Sequence, residues 1–181
     1  MTTGNRGAHQ SISWLGAEAG IFKKHDLDVG YPALEVGGLR LATGLARGEW
    51  DFYDGGLVPL VENVLNGGDA VALLRHTVDH TNTFIVAKRD VTALGQLNGK
   101  RIGVLSDAYT GQAGVQARIT LEKIGATATF VGLGTYDNIY KALLKEEIDA
   151  GTLPVHLRLS GERQHGWTIF EMSGFEALGR R

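Results

Sequence analysis

The chain has 181 residues, a formal charge of −2, no cysteine and 26 glycines, about twice the roughly 7 per cent glycine of ordinary globular proteins. The lack of cysteine excludes a disulfide scaffold, a Cys-ligated metal site, a thiol nucleophile and a lipid-bearing cysteine, and the near-zero charge without a long basic run argues against nucleic acid or an anionic membrane as the main partner. No apolar run approaches the roughly 20 residues of a membrane span, and the opening Met1-Thr2-Thr3-Gly4-Asn5-Arg6-Gly7 has no apolar export core.

The glycines stand singly or in pairs between periodic segments, the mark of many short connections. Ile12, Leu15, Ala19 and Phe22 form a helical apolar stripe closed by Lys23, Lys24 and His25, which predicts one helix of about four turns. Residues 27–34 alternate and read as a strand; 39–47 have helical spacing and stop at Gly48; 50–53 read as a short strand. Leu57, Leu60, Val61 and Val64 share one face of a predicted helix over 57–65 that Gly67 and Gly68 end, and strands are predicted at 70–74 and 83–88. The rhythm then repeats: strand 101–105, helix 111–124 ended by Gly125, strand 127–131, helix 136–146, short strand 148–150, helix 153–160 and strand 168–170. Strands alternating with helices of about 10–14 residues predict a mainly parallel α/β sheet.

Two stretches 98 positions apart share a pattern. Arg47, Glu49 and Asp51 recur as Lys145, Glu147 and Asp149 at a helix-to-strand junction, each followed by a glycine-containing turn and a proline, Pro59 or Pro154. The chain therefore reads as two related α/β lobes, 1–82 and 89–166, joined by a crossing strand at 83–88, with 167–181 returning toward the first lobe. Two such lobes facing one another make a cleft at the carboxyl ends of their strands, where ligands bind in open α/β sheets. Gly4, Gly7, Gly55, Gly56, Gly111 and Gly151 collect at those ends, just ahead of helix starts whose amides suit an anionic group. The same glycines also serve tight strand-to-helix turns.

Several segments in this order resemble the nitrate/sulfonate/taurine group of ABC-importer substrate-binding proteins, a group that includes thiamine-pyrimidine precursor proteins. Residues 15–29, with Gly20-Ile21-Phe22-Lys23-Lys24-His25-Asp26-Leu27-Asp28-Val29, are similar to the family's first helix and turn, with Asp26 where the family usually has glycine. Residues 44–52, 94–104 and 142–151 resemble three further family segments, with Glu146 in a usual glycine position. The likeness covers about residues 10–155. It implies a type II periplasmic-binding-protein fold, two Rossmann-like lobes with a small anion held between them. It also implies a first lobe that is incomplete here and a chain truncated at both ends, with the C-terminal part of the fold missing.

The resemblance places ligand contacts in the first loop, where Asn5, Arg6, Gly7, His9 and Gln10 lie. Arg6 suits bidentate pairing with a carboxylate or sulfonate, or is an exposed arginine near a terminus; His9 is a hydrogen-bond donor or an exposed helix-start residue. Asp54, ahead of Gly55 and Gly56, either receives a ligand ammonium or hydroxyl or caps the next helix. His80, Thr81 and Asn82 precede the crossing strand and are placed to line the cleft floor. In the second lobe Asp107, Tyr109, Thr110 and Gly111 lead into a helix, Tyr109 as an aromatic wall, and the turn bearing Thr152 and Leu153 is the last expected contact.

Catalytic motifs fail on spacing. Residues 95–101 are one residue short of a P-loop and lack the Ser/Thr after lysine; Gly132 and Gly134 have no third glycine for a dinucleotide fingerprint; no G-x-S-x-G or H-E-x-x-H occurs. His76 and His80, four apart, could bind a metal with Asp79 or Asp107 as third ligand, but local hydrogen bonding is the preferred reading. The expectation is thus a non-enzymatic solute-binding protein of an ABC importer. It takes a small, mostly anionic molecule (sulfonate, nitrate, carboxylate or pyrimidine type) by hinge closure, needs no cofactor, partners a membrane permease and works in the periplasm. The alternatives are a biosynthetic enzyme on the same fold, of thiamine-pyrimidine or menaquinone-route type, and a ligand-sensing effector domain.

Overall fold

The computed structural model describes residues 2–3, 11–30, 38–74 and 83–172. The chain divides into two compact units, Met1–Leu73 and Leu74–Arg181.

In the first unit β1 (Thr2–Thr3) pairs in parallel with β2 (Tyr53–Asp54). Among the described residues four helices accompany them: α1 (Ser11–Glu18), α2 (Ile21–Lys24), α3 (Gly38–Ala46) and α4 (Leu57–Leu65). The single helix predicted from the stripe through Phe22 is in fact α1 and α2, broken at Gly20, which sits in the left-handed region at φ 67°. The apolar period survives this break because the chain resumes helical geometry at once, so periodicity alone did not show it. Residues 27–30 and 70–74 carry no strand, contrary to the prediction; the remainder of the first of these segments, 31–34, lies outside the described residues. The α3-to-β2 corner is held by Trp50, whose indole N–H donates to the Leu41 carbonyl at 3.0 Å while the Arg40 guanidinium lies 5.0 Å above its ring.

The second unit is a five-stranded sheet in the order β5-β4-β6-β3-β7. Its strands are β3 (Thr83–Ala87), β4 (Arg101–Val104), β5 (Thr129–Gly132), β6 (Ala150–Pro154) and β7 (Thr168–Phe170). β4 runs parallel to β5 and β6, and β3 runs antiparallel to β6 and β7, so β3 alone is reversed in an otherwise parallel sheet. The crossovers are α5 (Gln112–Glu122), α6 (Tyr136–Leu144) and α7 (Val155–His165), as strand-helix alternation requires. β6 lies later than predicted: residues 151–154, read as a turn, pair with Thr83–Val86, and Pro154 sits at the strand's end. Both sheet faces are covered. Ile85, Ala87, Ile102 and Ala150 pack with Ala117 and Leu121 of α5, while Val86 and Leu153 pack with Ile139 and Leu143 of α6 and with Trp167. Burial on both sides explains why β3 is a continuous apolar run and not an alternating one.

Helix ends repeat one geometry. At the end of α3 the Glu49 N–H bonds the Gly44 carbonyl and the Gly48 N–H the Leu45 carbonyl; at the end of α6 Glu147 bonds Ala142 and Glu146 bonds Leu143, each partner 98 positions on. This pair of bonds closes a helix on a left-handed residue. Gly48 has φ 69° and Glu146, its counterpart, φ 60°. The same bonds end α2 at Asp26 (φ 58°) and α5 at Gly125 (φ 71°). Asp26 and Glu146 are the non-glycine residues with positive φ among the described residues, and they are the two positions at which the resembled family usually has glycine.

Candidate functional site

The carboxyl ends of β4 and β6 and the start of α5 lie together on one end of the second unit's sheet, because parallel strands joined by helical crossovers bring their following loops to the same edge. The loop from Leu105 to Gly111 is built on Asp107. Its carboxylate accepts the Tyr109 N–H at 2.6 Å, the Thr110 N–H at 2.7 Å and the Thr110 hydroxyl. Burial works to raise the Asp107 pKa, but these bonds, led by the Thr110 side chain, outweigh it and hold the carboxyl below its usual value. Asp107 therefore shapes the loop and spends the Thr110 hydroxyl in doing so. Tyr109 is left 74% exposed. Its ring is steadied by the Arg118 guanidinium, 5.1 Å from the centroid, and Arg118 Nε in turn donates to the Ala108 carbonyl at 3.1 Å.

Close backbone approach fixes the loop over the helix. A side chain at Gly114 would collide with the Asp107 carbonyl, and one at Gly132 with the Ser106 carbonyl. Gly111 is the N-cap of α5 in extended conformation and supplies no side-chain cap. Beside it lies the Ser106 hydroxyl, 2.6 Å from where a Gly111 Cβ would stand. That hydroxyl oxygen is buried and has no hydrogen-bond partner. A buried hydroxyl without a partner costs about 1–3 kcal/mol, and the positive end of a helix beside it favours an acceptor carrying negative charge. The arrangement can donate to an oxyanion. It cannot activate Ser106 as a nucleophile, since no proton acceptor reaches it among the described residues.

The remaining predicted positions are distributed as follows. Asp54 ends β2, is buried and accepts the Ser13 hydroxyl at 2.8 Å, tying α1 to the strand, and Gly56 is the N-cap of α4. Thr152 and Leu153 are fully buried inside β6, Leu153 in the cluster against α6. Asn5, Arg6, Gly7, His9, His80, Thr81 and Asn82 lie outside the described residues, as does His76. Among the described residues no group of three His, Asp or Glu is placed to hold a metal ion, and no helix is long and apolar enough to cross a membrane. Sequence reasoning passed over two residues. Ser106 directly precedes Asp107 and has no sequence signal of its own, and Arg158, on α7, lies 4.5 Å over the Phe84 ring with its buried Nε unpartnered. The only sequence signal at Arg158 is its spacing to Glu162, which marks an ordinary helix-surface pair.

No protein-family model matches the chain, and no curated protein sequence does. Solved structures do. The alkanesulfonate-binding protein SsuA of Xanthomonas axonopodis pv. citri, bound to MOPS, superposes with a TM-score of 0.78 at 16% identity, over 98% of this chain and 60% of that one. The periplasmic aliphatic sulphonate binding protein SsuA of Escherichia coli gives 0.74 at 13% identity, over 99% and 57%. A Candida albicans gene product described as having the generic periplasmic binding protein fold gives 0.73 at 19% identity, over 95% and 57%. The chain thus spans a little over half the length of these structures. Matched along nearly all of its own length, with a reversed β3 inside a parallel sheet and two α/β units, it has the periplasmic-binding-protein fold.

Proposed function

We propose that this chain is the ligand-binding part of a solute-binding protein that delivers a small anionic molecule to an ABC importer in the periplasm. The observation that carries the reading is the unpartnered Ser106 hydroxyl close to Gly111, the N-cap residue of α5. An oxyanion of a sulfonate, nitrate, carboxylate or phosphonate accepts from that hydroxyl near the positive end of the helix, and Tyr109 offers an exposed face to the rest of the molecule. Arg6 in the first loop is the proposed second charge partner, and hinge closure is the proposed means of capture, ligand binding shifting an open–closed balance. The reading includes no covalent step. Support comes from the fold and from the sulfonate ligands of the two SsuA proteins.

Titration calorimetry with methanesulfonate, taurine, nitrate, benzoate, methylphosphonate and an aminopyrimidine tests it, with product analysis alongside. One anionic class binds and no product forms. Ser106→Ala weakens that binding about tenfold, the equivalent of one charge-assisted hydrogen bond at about 1.4 kcal/mol. Folding stability is unchanged or raised, because the hydroxyl has no partner to lose. Turnover of any ligand, or equal affinity in Ser106→Ala, sinks the reading.

A further inference from the structure

Asparagine followed by glycine is the pairing in which a side-chain amide reacts most readily with its own backbone, because glycine has no Cβ to shield the attacking nitrogen. The chain has two such pairs, Asn66-Gly67 and Asn98-Gly99, each preceded by a leucine; its other asparagines precede Arg6, Val64, Thr83 and Ile139. Both pairs are exposed, so access to water does not separate them. Bonding does. The Asn98 Oδ1 accepts the Thr127 N–H at 3.0 Å and the Thr127 hydroxyl at 3.4 Å, and the Gly99 N–H donates to the Thr127 carbonyl at 2.7 Å. The Lys100 N–H closes the turn on the carbonyl of buried Leu97, and the chain then enters the β4–β5 ladder with Arg101 opposite Thr129. Freeing Asn98 therefore means parting the start of a strand pair. Asn66 instead is the C-cap of α4. Its Nδ2 donates to the Glu62 carbonyl at 2.9 Å, the Gly67 N–H to the Val64 carbonyl at 3.0 Å and the Gly68 N–H to the Asn63 carbonyl at 2.9 Å. All three bonds lie within the last turn of one helix and the two glycines after it.

We infer that Asn66 is a site of spontaneous deamidation in the folded protein, and that Thr127 protects Asn98 from the same reaction. Hydroxide removes the Gly67 amide proton, the nitrogen attacks Asn66 Cγ, and a C–N bond forms as Nδ2 leaves as ammonia. Water then opens the cyclic imide at either carbonyl, giving isoaspartate or aspartate. Ring closure requires the backbone to turn at the asparagine ψ and the glycine N–H to leave its acceptor, so the cost of local opening decides the rate. Helix ends open at little cost, whereas strand pairs beside a buried cluster open at far more. Conversion also removes the Nδ2 donor and sets a carboxylate at the negative end of α4, one turn from Glu62, where like charge and the helix dipole both disfavour it. The modified chain thus has a weaker helix end than the original. This inference is independent of the ligand.

The test holds the purified protein in mildly alkaline heavy-oxygen water, native and in urea. Peptide mapping by mass spectrometry follows the oxygen gained at each asparagine, and chromatography separates isoaspartate from aspartate. In the native protein Asn66 converts about tenfold faster than Asn98, a difference of about 1.4 kcal/mol in local opening. In urea the two rates come together, since both sites are then the same Leu-Asn-Gly sequence. Asn66→Gln abolishes the reaction at that position and leaves Asn98 unchanged. Equal native rates, faster conversion at Asn98 or no conversion at Asn66 overturns the inference. The same gap in urea also overturns it, because the difference then belongs to sequence neighbours and not to the fold.

Discussion

Two residues carry backbone conformations their types disfavour. Asp26 and Glu146 close helices at φ 58° and 60°, where a Cβ costs about 1–2 kcal/mol. Glycine removes that cost but adds unfolded-chain entropy, so Asp26→Gly and Glu146→Gly each raise stability by about 0.5–1 kcal/mol. Glu146 forfeits only an exposed 3.8 Å pair with Lys88, which is worth little. Urea denaturation measures both; a loss in either shows that the left-handed cap is not strained. Asp107 is the opposite case, a residue whose chemistry suits its place. Its folded pKa is lowered, so its contribution is present above the ordinary carboxylate value near 4 and disappears as pH falls through the folded value. The melting-temperature gap between wild type and Asp107→Ala is therefore constant at neutral pH and closes below about pH 4. A gap that persists there assigns the loop's stability to something other than the carboxylate.

At the scale of elements, close approach outweighs helix propensity. Gly114→Ala in α5 gains about 1 kcal/mol in helix propensity, but its methyl meets the Asp107 carbonyl, and overpacking against backbone costs about 1–3 kcal/mol. The variant is less stable by denaturant titration, and anion affinity falls with it because the 105–111 loop must shift. Local pattern revealed much here. The bounds of α4 and β7 follow from apolar spacing and flanking glycines, and α3, α5 and α6 lie within three residues of theirs. Long-range pairing was not legible: β6 extends through residues 151–154 because β3 lies beside it, and 70–74 has strand-like residues but no strand. The 105–111 loop was legible as a strand-to-helix turn, and its internal bonding was not. Asp107 and Thr110 were named for the ligand, yet their polar groups are used on one another. Ser106 was overlooked because the lack of a partner is a property of packing.

Over the whole molecule, burial is uneven, and so is stability. Hydrogen exchange is expected to find the slowest amides in β3, β4 and β6, which lie between two apolar clusters, and faster exchange throughout α1, α2 and α4. Equal protection in both units contradicts the burial described here. Sequence alone determined the succession of strands and longer helices in the second unit, since hydrophobic period and glycine punctuation are local properties of the chain. It determined as well that none of these 181 residues is a cysteine able to act as nucleophile or metal ligand. Tertiary structure decided which apolar faces are covered. Leu57, Val61 and Val64 have the spacing of a core stripe and remain exposed, while Ile139 and Leu143 on α6 have the same kind of spacing and are buried. Periodicity states that a helix has an apolar face; only the neighbouring elements determine what that face meets.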